Sequence, residues 1–83
     1  MKPSIGRIVH YRLPNKYEDV ERWRPAIVTA VWSDNCVNLR LFLDGANDAD
    51  ALPIYGTDPA HPDWITSSTA GADVGDWRWP PRV

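Results

Sequence analysis

Oxygen ligands crowd one short stretch of this chain: Asp44, Asn47, Asp48 and Asp50 follow one another closely. A hard cation such as calcium needs several oxygens at short range, so the ligand chemistry is of the right kind. The spacing is not that of an EF-hand loop, and Asp44-Gly45 reads more simply as a turn followed by solvated acids. Zinc has less to work with, because His10 and His61 are far apart and no Cys-x-x-Cys pair accompanies them. For nucleophilic catalysis, Cys36 with His10 and an aspartate is the one candidate set, beside Ser33, Ser67 and Ser68. A reactive thiolate needs a positive, partly open setting, and Cys36 at the start of a strand reads instead as a small packed hydrophobe. No Gly-x-Ser-x-Gly motif and no glycine-rich phosphate loop is present. The expectation is a protein that is not an enzyme and carries no metal or cofactor.

Recognition chemistry is better represented. The 83 residues include five tryptophans, and Trp, Tyr and Arg dominate the energetics of protein interfaces. In a regular last strand Trp77 and Trp79 share one face and Arg78 takes the other. The residues expected to engage a partner are Tyr11, Arg40, Trp64, Trp77, Arg78 and Trp79. The competing use is structural: one of Trp77 and Trp79, with Trp32 and Trp64, fills a core short of aliphatic bulk. A second candidate function is nucleic-acid binding, with Arg7, Arg12, Arg22, Arg24 and Arg40 tracking phosphates while a Trp or Tyr stacks on bases. The formal net charge of −2 weighs against it, since sequence-independent binding needs a concentrated basic surface. The expected partner is therefore a protein, a second copy of the chain included.

The elements that must position these groups are short strands. Ile5 to Leu13 reads as a first strand, with Val9, Tyr11 and Leu13 on one face and Ile8, His10 and Arg12 on the other. Pro14-Asn15 ends that strand, and the charged stretch from Lys16 to Trp23 reads as a structured loop. A second strand starts at Pro25, where a missing N–H is tolerable, and runs to Trp32 with apolar residues on both sides. Ser33-Asp34-Asn35 turns the chain into a third strand, with Val37, Leu39, Leu41 and Leu43 inward and Asn38, Arg40 and Phe42 outward. Residues 45–63 read as a long connection rich in glycine and proline. Trp64 to Ser67 is a fourth strand, and Trp77 to Trp79 a fifth, closed off by Pro80-Pro81. The expected fold is all-β: one domain over residues 1–83, a small SH3-like barrel of four to five antiparallel strands. Closure removes the exposed edges that an open sheet must protect, and an open meander with a covering loop is the alternative.

Gly6-Arg7-Ile8-Val9-His10-Tyr11, Arg24-Pro25-Ala26-Ile27-Val28, Val31-Trp32-Ser33-Asp34, Val37-Asn38-Leu39, Phe42-Leu43-Asp44-Gly45 and Gly75-Asp76-Trp77-Arg78-Trp79-Pro80 together resemble a family of small phage and prophage proteins. The resemblance covers most of the chain in order and implies a viral accessory or virion protein with no assigned activity. Arg78 stands where that pattern more often has histidine. A weaker similarity is to the Tudor-type barrel, whose aromatic cage receives methylated lysine or arginine. It implies roles for Phe42, Asp44 and Asn47, with Trp32 or Tyr11 as walls.

Cys36 is the one cysteine, so no intrachain disulfide forms, which fits a reducing compartment. The first residues lack the apolar run of a secretory signal, and no segment approaches the roughly 18 apolar residues of a membrane span. The expected setting is the bacterial cytoplasm or the virion, with no membrane partner.

Overall fold

The computed structural model describes residues 2–51 and 60–81. Its elements are strand β1 (Ile8–Leu13), strand β2 (Arg22–Val31), strand β3 (Cys36–Leu41), a 3-10 helix (Gly45–Ala51), strand β4 (Trp64–Thr69) and strand β5 (Trp77–Arg78). They form a five-stranded sheet in the order β4-β3-β2-β1-β5, each ladder antiparallel. The sheet curls into a half-barrel, and an isolated parallel bridge from Ala70 to Trp77 brings the end of β4 to β5. Among the described residues no helix is long and apolar enough to cross a membrane. Part of the long connection expected over residues 45–63 is the 3-10 helix; residues 52–59 lie outside the described ones.

Alternation decides what is inside. Val9, Tyr11 and Leu13 from β1, Ala26 and Val28 from β2, Val37, Leu39 and Leu41 from β3, Ile65 from β4 and Trp77 from β5 make the core. Leu43 and Trp79 pack against it half-buried. The inward faces read for β1 and β3 agree with this, but β1 begins at Ile8 rather than Ile5, because Ile5-Gly6 forms a turn with Gly6 at φ of 91°, and β3 ends at Leu41, short of Leu43. The tryptophans do not follow expectation. Trp77 is the core indole, whereas Trp32 is 66% exposed beyond the end of β2 and Trp64, on the outward phase of β4, is 49% exposed. Short aliphatic side chains fill the interior that those two rings were expected to occupy.

β2 also begins earlier than expected. Its pairs Tyr11↔Arg24, Arg12↔Trp23 and Leu13↔Arg22 carry the ladder back to Arg22, because β1 offers a partner at every position down to Leu13. Pro25 thus lies inside β2 rather than at its start. Its carbonyl accepts from Phe42 N at 2.9 Å, just past the last β2–β3 pair, so its missing N–H costs a bond only where that ladder ends.

The hairpin turn works as its residues suggest. Ser33 Oγ accepts from Cys36 N at 3.2 Å, while Trp32 N and Ser33 N both donate to the Cys36 carbonyl. A serine side chain thereby stands in for a backbone acceptor.

Candidate binding face

The outer face of the sheet follows from the same alternation. Across the strands, register aligns Ile8, Ile27, Arg40 and Trp64 in one row. A neighbouring row runs Arg78, His10 and Pro25, and reaches Phe42 through the bond from Phe42 N to Pro25 O. Ile8, Phe42 and Trp64 are all exposed. This is a contiguous band of isoleucine, proline and aromatic side chains with arginines set into it, and extended apolar bands on a monomer mark binding sites.

Two arginines in this band are oriented by rings. The Arg78 guanidinium lies 3.9 Å from the centre of the Trp23 ring, a cation–π contact. Among the described residues Arg78 has no carboxylate partner. It also holds the pKa of neighbouring His10 below the usual imidazole value, although partial burial is the larger cause. Arg40 sits 5.9 Å from the Phe42 ring centre and 3.5 Å from an Asp63 carboxylate oxygen, with its side chain half-exposed. On β4, Trp64 stacks on His61 with ring centres 3.9 Å apart and planes 5° from parallel.

A groove of about 370 Å³ crosses this face between β2, β3 and β4, lined by Thr29, Asn38, Arg40, Trp64 and Thr66. Two ladder irregularities form it. Thr29 is an extra residue between the pairs Val28↔Leu39 and Ala30↔Asn38, and Thr66 and Ser67 fall between Ile65 and Ser68 of β4. Ser67 takes φ of 55°, the left-handed conformation that lets the strand step sideways. Asn38 bridges the disturbance: its Oδ1 accepts from Trp32 Nε1 at 2.8 Å and from Ser67 N at 2.9 Å. Both partners are obligate donors, so the amide orientation is determined and Nδ2 is left as a donor.

The opposite phase of β2 holds what the sequence reading missed. Arg22 and Arg24 lie on the same inward phase as Ala26 and Val28, at one end of the half-barrel. Asp48 of the 3-10 helix plugs that end with no exposed surface. Arg24 donates to it from Nε at 2.6 Å and Nη2 at 2.8 Å, Arg22 from Nη1 at 3.4 Å, and the Asp44 N–H at 2.6 Å. Arg22 also grips Asp50 through Nη1 and Nη2 and the Pro14 carbonyl through Nε and Nη2. The Arg24 hydrogen bond, opposed by burial, holds the Asp48 pKa below the usual carboxylate range, and Arg22 does the same for Asp50. Extending the period of two back to Arg22 predicts two inward charges, and the nearby acidic run is the obvious source of counter-charges.

The structure therefore separates the residues singled out above. Arg40, Trp64 and Arg78 share the outer face; Trp79 meets Trp77 edge-on at 5.5 Å between ring centres, half-buried. Tyr11 and Trp77 are core residues, and burial followed by the charge of Asp76 raises the Tyr11 pKa. Trp77 Nε1 donates to the Asn35 carbonyl at 3.1 Å, which satisfies its one polar atom. The arginine track does not converge. Arg22 and Arg24 are spent on Asp48 and Asp50, Arg12 reaches the Ala72 carbonyl and Asn15 and approaches Glu21 at 3.5 Å, and Arg7 is exposed ahead of β1. Phe42, Trp32 and Tyr11 do not assemble into a cage either, because Tyr11 faces inward and Trp32 and Phe42 stand at opposite ends of the β2–β3 ladder. Asn47 Nδ2 is occupied by Asp44 at 3.0 Å. His10 on β1 and Cys36 at the start of β3 lie toward opposite ends of the sheet with β2 between them. Among the described residues no three His, Cys, Asp or Glu side chains are grouped to hold a metal ion.

The chain matches no protein-family model, no curated protein and no solved structure.

Proposed function

We propose that this chain is a non-enzymatic binding or assembly module that acts through protein–protein contacts on the outer face of its sheet. The observation that carries the reading is the double row Ile8, Ile27, Arg40, Trp64 and Arg78, His10, Pro25, Phe42. Exposed Ile8, Phe42 and Trp64 there are interleaved with arginines, and Trp and Arg are among the residues that dominate interface hot spots. The carboxylates of the 3-10 helix are occupied elsewhere, so an incoming surface meets mainly apolar and cationic groups.

The strand order, with β5 returning to the end of β4, supports the finer reading of the fold as an SH3-like barrel. The motif resemblance supports a phage or prophage origin and a role as an accessory or virion protein, working in the host cytoplasm or in the particle. The arginine-track reading as a nucleic-acid binder is disfavoured, since Arg22 and Arg24 are neutralised by carboxylates at close range.

The immobilised chain, incubated with lysate of the bacterial host, is expected to retain a protein that the Arg40→Glu, Trp64→Ala double variant does not retain. Circular dichroism shows whether the variant is still folded. Equal retention by both would place the interface elsewhere. Recovery of nucleic acid alone, released by moderate salt, would replace this reading with the phosphate-binding one.

A further inference from the structure

We infer that the outer-face site takes its partner as an extended segment added to the edge of β4 that no described strand pairs, with an apolar residue against Trp64 and an acidic one toward Arg40 and Asn38. This rests on the protein-binding reading and specifies how the partner is held.

The edge itself is the first argument. β4 pairs with β3 on one side, and among the described residues the other side meets only the Ala70–Trp77 bridge beyond its far end. Leu41 N donates to Asp63 O at 2.8 Å, which makes residues 41 and 63 a hydrogen-bonded pair. Alternation along an antiparallel ladder then makes Leu39 and Ile65 the next such pair and turns the N–H and C=O of Trp64 and Thr66 away from β3. Trp64 N is satisfied locally by His61 O at 3.1 Å, whereas no other described strand lies where Thr66 points. An exposed row of this kind is a template for another strand.

The groove supplies the specificity. Stacking on His61 covers one face of the Trp64 indole, and the half-exposed remainder walls the groove. A cross-strand neighbour on an added strand comes within roughly 5 Å of that ring, the distance at which aromatic and apolar side chains pair. Beyond it, β3 lies two strand spacings, roughly 9.5 Å, from the added strand. That gap is within the combined reach of an incoming glutamate and Arg40.

Charge complementarity names the incoming group. The polar atoms offered to the groove are the Arg40 guanidinium, Asn38 Nδ2 and the hydroxyls of Thr29 and Thr66. Asn38 has both lone-pair directions of Oδ1 taken by Trp32 and Ser67, so it can only donate. Asp63 already approaches Arg40, at 3.5 Å and on an exposed side chain, and an incoming carboxylate shares or displaces that contact. A basic segment would instead meet the like charge of Arg40, with Asp63 as the carboxylate beside it among the described residues.

The probe is a display library of random linear twelve-residue peptides, panned on the whole chain, with the enriched peptides synthesised for binding measurements. Enriched sequences are expected to combine an apolar residue with Asp or Glu. Binding should slow hydrogen exchange of the Thr66 amide at least tenfold and shift the Asn38 side-chain amide resonances. Arg40→Glu should weaken binding at least tenfold and favour peptides with Lys or Arg, and Thr66→Pro should abolish it. Thr66 exchange in the unsubstituted chain decides the matter if the proline variant fails to fold. Enrichment of peptides that shift Trp23 and Arg78 but leave Thr66 exchange unchanged overturns the edge and leaves the protein-binding face standing. A library that yields no binder overturns it as well. So does a Thr66 amide already protected in a dimer of the free chain, which would make a second copy the occupant.

Discussion

Arg24 closes two guanidinium donors on the two carboxylate oxygens of Asp48, at 2.6 and 2.8 Å, and the carboxylate has no exposed surface. With Arg22 and the Asp44 N–H as further donors, this pairing seals one end of the half-barrel and fastens the 3-10 helix to β2. The end of a small barrel is where a chain of this size runs short of apolar bulk, and charge has been used there instead.

Removing the acid should therefore be costly. Asp48→Ala leaves the largely buried Arg24 without its carboxylate partner and takes from Arg22 one of its two, a change that typically costs ~3–5 kcal/mol. In a domain this small that loss is comparable with the whole stability. Urea unfolding should show a largely unfolded Asp48→Ala variant at room temperature. Asp50→Ala, which removes a half-exposed acid, should shift the midpoint much less.

The same pair sets the acid limit of the fold. Asp48 is held below its ordinary pKa chiefly by the Arg24 hydrogen bond, with burial opposing and the Asp44 N–H assisting. A depressed folded-state pKa means that its stabilisation is complete above the unfolded-state value of about 3.9 and is lost as pH falls through the lower folded value. Melting temperature should fall steeply below about pH 4. Asp48→Asn should be less stable at neutral pH and show a flatter acid limb; an unchanged limb would remove Asp48 from this role.

The tryptophans should divide by phase. Trp77→Ala empties the largest buried side chain and should cost ~3–5 kcal/mol. Trp32→Ala removes a mostly exposed ring and Trp64→Ala a half-exposed one on the outer face, and each should cost less than about 1 kcal/mol. Guanidinium unfolding of the three variants, followed by circular dichroism, separates the classes. Loss of fold in Trp64→Ala would contradict its place on the outer face.

Gly71 is constrained by its neighbour. A Cβ there would lie 2.2 Å from Asp76 Oδ2, the oxygen that accepts from Asp73 N at 3.0 Å. Rotation of the Asp76 carboxylate relieves the overlap at the expense of its bond from Asp73 N, so Gly71→Ala should destabilise by ~0.5–1.5 kcal/mol. The cost should shrink in the Asp76→Ala background, and a double-mutant cycle measures the difference. Additive effects would locate the strain elsewhere.

The strands and their phases could be read in the residues because alternation is local. Val9, Tyr11 and Leu13, or Val37, Leu39 and Leu41, declare a buried face whatever they later pair with. The outward placement of Arg40 and Phe42 and the opposition of Arg78 to Trp77 follow from the same period. Phase alone says which way a side chain points, not whether anything covers it. Trp32 and Trp64 stayed outside because aliphatic residues of neighbouring strands had already filled the space. Arg22 and Arg24 became structural rather than functional because a helix 20 or more residues downstream delivered Asp48 onto them, a pairing no local window contains. The groove likewise depends on bulges in two ladders whose registers are decided only when β2, β3 and β4 meet. Composition and alternation by themselves determined an all-β chain with tryptophans to spare. Assembly of the sheet decided which rings are core, which arginines are neutralised and which edge is left unpaired among the described residues, because each outcome depends on side chains distant in sequence meeting in the same space.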